Sequence, residues 1–262
     1  MERATTGSEW VDLPAAGQAS TPPLVFLHEG LGSVKMWHGF PVRLRAALGR
    51  PRAVVYSRPG YGQAPPQPRP RGIDYLRDQS RRALPDLLSA REISAPILVG
   101  HSDGASIAIE YAGSGQPVSA LILLAPHLFA EACTLDGVRA AVRRFEQGDL
   151  RARLARYHRD PEGMFRGWSD MWLDPGTPDW TIEGVLPGIR APVLAIQGAA
   201  DQYGTAAQLA ALEAGCAGPI EIHELPGVGH APHLEAPERT VALIATWLKR
   251  HGLCLEQAND SD

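Results

Sequence analysis

The chain has 262 residues with a formal net charge of -4, and 44% of it is hydrophobic against 21% charged. Those values fit one globular α/β core with an insertion and exclude a disordered chain or a fibre. They offer no broad basic surface for nucleic acid or an anionic membrane, and no run approaches the roughly 18 apolar residues of a bilayer span; the expected partner is a small molecule and the expected location cytoplasmic.

The N-terminal stretch from Met1 to Trp10 lacks the apolar core of a secretory leader. Cys133, Cys216 and Cys254 are widely spaced, with neither paired metal spacing nor an even disulfide framework, so they read as buried or inert thiols.

Short apolar runs at 24–27, 53–56, 97–99, 120–124, 193–196 and 220–223 alternate with helix-like segments. Runs with so little polar alternation suit strands covered on both faces, which predicts an α/β fold built on a mostly parallel, doubly wound sheet flanked by helices. The residues before Thr21 are too few for two full antiparallel strands, so that edge of the sheet is expected to be reduced. Residues 64–71, rich in proline and arginine, read as an extended surface loop. Over 74–90, Leu76, Ala83, Leu84, Leu87 and Leu88 share a helical face, and Pro85 predicts a kink because it lacks an amide donor. Val241, Ile244, Trp247 and Leu248 mark a final helix.

Roughly 65 residues separate the run ending at Leu124 from the one starting at Val193, against a usual crossover minimum of about 12. The stretches 135–146, 150–158 and 161–173 look helical and carry Val138, Val142, Phe145, Leu154, Met164, Phe165, Trp168, Met171 and Trp172. A small helical cap is expected over 127–186, with 1–126 and 187–262 forming the core. Trp168 and Trp172 are candidates for lining a substrate site beneath it, although aromatics at helical spacing more often simply pack a core.

The strongest chemical signal is Gly100-His101-Ser102-Asp103-Gly104, because an apolar strand runs into it and a helix-compatible segment leaves it. That context lifts a serine hydroxyl above a sheet edge on a tight turn; without it the pattern would be a chance loop serine. A serine needs a histidine base, and the base needs an acid that holds its tautomer. Of nine histidines, His230 sits among small residues in Gly227-Val228-Gly229-His230, after the last apolar run and before the final helix. His233 is its rival, and His28 and His101 read as structural. Asp201 follows a strand end, where catalytic groups gather in parallel sheets; its competing reading is a cap for the helix starting near Thr205. The chain order Ser102, Asp201, His230 is the one this chemistry uses on α/β sheets. Asp103 at the helix start, with the glycine-containing loop after 24–27, offers backbone amides for an oxyanion.

The motifs Leu27-His28-Glu29-Gly30-Leu31-Gly32, Ser57-Arg58-Pro59-Gly60-Tyr61-Gly62, Gly100-His101-Ser102-Asp103-Gly104, Gly198 to Asp201 and Gly229-His230 together resemble the α/β-hydrolase superfamily over about residues 22 to 250. The resemblance implies Gly30 and Asp103 as oxyanion donors, with Leu31 an alternative because Glu29 stands where the family usually has glycine. It also makes the insertion the family's cap. Glu29 and Asp103 would oppose an oxyanion if they faced it, so their side chains are expected in solvent; an acid-base role is the alternative, and a Glu29 contact to a polar or cationic substrate group a minor one. The Gly-rich loops lack P-loop and dinucleotide spacing, and the His-Glu pairs lack the second histidine of a zinc helix, so neither cofactor nor metal is expected. The expected activity is hydrolysis of a small to medium, partly apolar carboxylic ester through an acyl-enzyme. A lactonase, thioesterase or carbon–carbon bond hydrolase on the same residues, or a non-catalytic receptor on the same fold, are the competing readings.

Overall fold

Four buried apolar residues in a row, Leu24–Leu27, can be covered only between two layers. In the computed structural model, which describes residues 9–16, 21–67 and 71–254, they lie inside a seven-stranded sheet. The elements are β1 (Glu9–Leu13), β2 (Leu24–Leu27), α1 (Phe40–Ala47), β3 (Ala53–Ser57), α2 (Tyr75–Asp78), α3 (Leu84–Ala90), β4 (Ile97–His101), α4 (Asp103–Gly113), β5 (Ala120–Leu124), α5 (Ala132–Gln147), α6 (Leu150–Leu154), α7 (Pro161–Trp172), β6 (Val193–Gly198), α8 (Ala206–Gly215), β7 (Ile220–Leu225), α9 (Pro232–Glu235) and α10 (Pro237–Arg250).

The sheet order is β1-β3-β2-β4-β5-β6-β7, with β1 antiparallel to β3 and every other pair parallel. Among the described residues only one antiparallel strand precedes β2, the reduced edge that the short N-terminal segment predicts. From β2 the chain steps outward to β3, whereas after β4 it moves the other way to β5, β6 and β7. The loops leaving β2 and β4 therefore part at a topological switch point and open a crevice at the carboxyl ends of the strands. Strand side chains divide with period two. Val25, Leu27, Leu98 and Leu121 cluster with Ile107 of α4 and with the cap. Leu24, Phe26, Val99 and Ile122 cluster with Phe40 of α1 and Trp247 of α10.

Pro85 has the effect its missing amide dictates. A wide π-helical turn, Gln79–Ala83, separates α2 from α3 and gives the ring room within the first turn of α3. The expected surface loop at 64–71 needs correction: residues 68–70 lie outside the described ones, and Arg71 is buried. Its Nη1 donates to Tyr61 Oη at 2.6 Å, and the guanidinium lies over the Tyr61 and Tyr75 rings, 4.7 Å from each.

The insertion between β5 and β6 is a helical cap closed by a narrow neck, where Phe129 bridges Thr181 and Ile182 N–H donates to Leu128 C=O at 2.7 Å. A reciprocal capping box between Glu131 and Thr134 starts α5, and Asp160 accepts from Gly163 N–H at 2.8 Å to start α7. Phe145 of α5 stacks on Phe165 of α7 at 3.9 Å, binding the cap to itself. Trp168 and Trp172, one helical turn apart, share the α7 face turned toward the core. All three cysteines are partly exposed. Among the described residues no helix is long and apolar enough to cross a membrane.

Candidate active site

The turn between β4 and α4 is a single residue. Ser102 occupies it at φ 52°, a conformation that L-residues rarely adopt and that the surrounding packing must enforce. A Cβ on Gly104 would overlap the Leu27 carbonyl, and one on Gly100 would fall 2.5 Å from the Gly104 oxygen. Only glycines let α4 press this closely on β2 and β4. The Ser102 amide donates to Leu124 C=O at 2.9 Å, fixing the turn to the next strand, while Ser102 itself lines a cavity beneath the cap.

His230 and Asp201 come together from the loops after β7 and β6. The His230 Nδ1 lies 2.8 and 2.9 Å from the two Asp201 carboxylate oxygens. A carboxylate only accepts, so Nδ1 carries the proton in this pair. Burial alone would raise the Asp201 carboxyl; the His230 hydrogen bond and charge and the Tyr203 amide, at 2.8 Å, outweigh it and hold the group below the usual range. The His230 loop is clamped at several points. Glu235 accepts from the Gly229 amide at 2.7 Å and from the Ala231 amide at 2.9 Å, and His101 Nε2 donates to His230 C=O at 2.8 Å. A Cβ on Gly198 would overlap the carbonyls of Val228 and Gly229, so the strand end before Asp201 and the His230 loop can cross only at a glycine. Ser102 and His230 line the same cavity. His233, the rival base, is packed away from that cavity against Trp37, Phe40 and His101. His28 is structural in its contacts: Nδ1 donates to Glu29 C=O at 2.7 Å, and Nε2 accepts from the Arg58 amide at 3.0 Å.

The two extra acids are not in solvent, which overturns the expectation from charge alone. Asp103 is 1% exposed; it accepts from Trp172 Nε1 at 3.2 Å and pairs with Arg58 at 3.8 Å. Arg58 explains why burial is tolerable. Wholly enclosed, it also donates to the carbonyls of His28 at 2.5 Å and Glu29 at 3.0 Å, so one guanidinium joins the loop after β2 to the first residue of α4. Glu29 lines the cavity, and its Oε2 accepts from the Leu31 amide. Burial pushes its carboxyl up to about 7, with the Leu31 amide opposing and Asp103 reinforcing. Burial also raises Asp103, against the pull of Arg58 and Trp172.

The cavity holds about 70 Å³ and brings together Glu29, Gly30, Leu31, Ser102, Asp103, Trp168, Trp172 and His230, all of them candidates from the sequence. Trp168 lies against Gly30 so closely that any Cβ there would overlap the indole. The α7 pair therefore places one tryptophan over the loop after β2 and the other over the start of α4. His127, Thr134, Val138 and Tyr203 complete the lining. Of these, His127 carried a readable signal, since it follows β5 as Asp201 follows β6. Its ring lies 5.5 Å from those of His230 and Trp172, and burial lowers it to about 3, so it stays neutral.

No curated protein matches the chain. Solved structures share its fold at low identity. An esterase from Exiguobacterium antarcticum superposes with a TM-score of 0.73 at 18% identity, covering 92% of this chain and 95% of its own. The enol-lactonase of Burkholderia xenovorans LB400 gives 0.70 at 18%, covering 92% and 96%. A meta-cleavage product hydrolase from Pseudomonas fluorescens IP01 gives 0.70 at 17%, covering 93% and 94%. The model of the alpha/beta hydrolase family matches residues 24–243. With most of its length matched by that family, and with the sheet order and inserted cap described above, the chain belongs to the α/β-hydrolase family.

Proposed function

We propose that the protein hydrolyses carboxylic esters with a short acyl chain, using Ser102 as nucleophile, His230 as general base and Asp201 as the group that orients and supports it. The observation that carries this reading is the His230–Asp201 pair at 2.8 Å, which engages Nδ1 and so leaves Nε2 for the serine, in a cavity that His230 and Ser102 both line. Ser102 Oγ attacks the ester carbonyl as Nε2 takes its proton. The tetrahedral intermediate collapses, and His230 passes that proton to the departing alkoxide. Water, deprotonated by the same nitrogen, then attacks the acyl-enzyme; as this second intermediate collapses, His230 returns the proton to Ser102 Oγ and the acid is freed.

The Asp103 amide, at the start of α4, and the Gly30 amide supply the oxyanion donors. Leu31 is the poorer choice because its N–H is already taken by the Glu29 carboxyl. One such donor lowers the barrier by about 3 kcal/mol. A volume near 70 Å³, well below the roughly 300 Å³ or more of pockets for drug-sized ligands, suits a short acyl chain.

The test compares wild type with Ser102→Ala on p-nitrophenyl acetate, propionate and octanoate, with small lactones and acyl thioesters as further substrates. Turnover of the short esters is expected to fall on the order of 10³-fold or more in the variant, with an active-site phosphonate labelling wild type alone. Retention of most activity in Ser102→Ala would reject the mechanism. Absent turnover together with ligand-induced stabilisation would favour a receptor.

A further inference from the structure

Glu29 has no part in the steps above, yet it sits in their midst. It shares the cavity wall with Ser102 and His230, and it stands directly before the proposed donor Gly30. Its Oε2 is committed to the Leu31 amide, whereas Oε1 has no hydrogen-bond partner among the described residues. The residue keeps some accessible surface and lines two spaces, the cavity it shares with Ser102 and His230 and the smaller one bounded by Gly32; its charge acts on Tyr203, which lines the first.

The groups facing it leave its charge unmatched. From the strand-end loop after β3 comes Arg58, whose guanidinium is divided among the carbonyls of His28 and Glu29 and the Asp103 carboxylate. Asp103 comes from α4, and His230 and Tyr203 from the loops after β7 and β6. On the far side, His28, His101 and His233 line a smaller space with Glu29, and burial keeps all three neutral. A carboxyl enclosed without a cation of its own is costly unless something pairs with it.

We propose that Glu29 Oε1 forms a polar subsite for a hydrogen-bond donor, an ammonium or a hydroxyl, carried on the acyl chain next to the scissile carbonyl. The inference rests on the serine-hydrolase reading and narrows its substrates to short esters of amino or hydroxy acids. The acyl side is the one concerned because Glu29 adjoins the donor that would hold the carbonyl oxygen, and the enclosed volume takes a short chain.

The test uses three isosteric p-nitrophenyl esters, propionate, glycolate and glycinate, each kcat/KM being divided by the ester's uncatalysed hydrolysis rate. Wild type is expected to favour the glycolate or the glycinate over the propionate by at least about tenfold, the size of one charge-assisted hydrogen bond; which of the two it favours separates hydroxyl from ammonium recognition. In Glu29→Gln the amide oxygen must serve Leu31, so the NH2 faces the cavity and the preference should vanish. Equal normalised rates in wild type would overturn the subsite without recourse to a variant. A preference that survives in Glu29→Gln would overturn the role of Glu29. If wild type turns over none of the three and resists the phosphonate, the hydrolase reading itself fails and the subsite goes with it; turnover of the propionate without preference removes the subsite alone.

Discussion

A carboxyl enclosed by protein holds its proton longer than one in water, and Glu29 shows what that does to stability. Its ordinary value is 4.5 and burial pushes it up to about 7. Between those values the folded chain binds more protons than the unfolded one, so Glu29 removes stability as pH rises through the window, by roughly 3 kcal/mol once above it. Glu29→Gln escapes the effect. Urea unfolding at pH 5 and pH 8 should show the variant gaining roughly 2–3 kcal/mol on wild type between the two, and a constant difference would mean that the carboxyl is well solvated. Which residues were legible at this scale follows from where their information lies. Ser102, Asp201 and His230 each sit at a strand end among small neighbours, a local pattern. The fate of Glu29 and Asp103 depends on Arg58, whose partner His28 is 30 residues away, and no spacing in the chain announces that contact. Read without it, two acids beside an oxyanion site look solvated.

Elements were legible where their pattern was internal. The six apolar runs became strands within two residues of their expected ends: five are buried on both faces, and the edge strand β7, partly exposed, pairs with β6 along its length; Pro85 disclosed a break because its missing amide is a local fact. Strand β1 was not legible, since Glu9–Leu13 is held by pairing with β3 rather than by a run of its own. Contact between elements is likewise invisible in a single segment, and α4 against β2 is the clearest case. Gly104 reads as a turn glycine, yet the space it leaves is filled by the Leu27 and His28 carbonyls. Gly104→Ala is expected to destabilise the fold by about 3 kcal/mol or more, because backbone on both sides must shift. Gly184→Ala, where a Cβ would meet nothing within 4 Å, should change stability by no more than about 0.5 kcal/mol. Chemical denaturation of the pair checks the prediction, and similar losses in both would show that α4 is not so closely seated.

Across the whole molecule, the carboxyl edge of the sheet is unusually rich in enclosed imidazoles. His28 follows β2, His101 ends β4, His127 follows β5, and His233 begins beneath the His230 loop; His158 of the cap accepts from the Gly62 amide at 3.0 Å and donates to Leu31 C=O at 2.9 Å. Burial lowers all five, to about 4 for His158 and to about 3 for His127 and His233. Below their ordinary value of 6.5 the unfolded chain binds protons that the folded chain refuses. Stability is therefore complete above 6.5 and is lost as pH falls, at about 1.4 kcal/mol per pH unit for each histidine until its folded value is reached. Glu29 works the other way over much of the same range, since the folded chain binds one proton more there. The net expectation between pH 5 and 6 is an uptake of about three or four protons on unfolding. Against a total stability that is typically 5–15 kcal/mol, such a slope would bring acid unfolding in well above the carboxylate range. The pH dependence of the urea unfolding free energy gives the uptake directly. A value of one proton or fewer would mean that these rings are charged or solvated in the folded protein, and the packing that holds His230 would then need a different explanation.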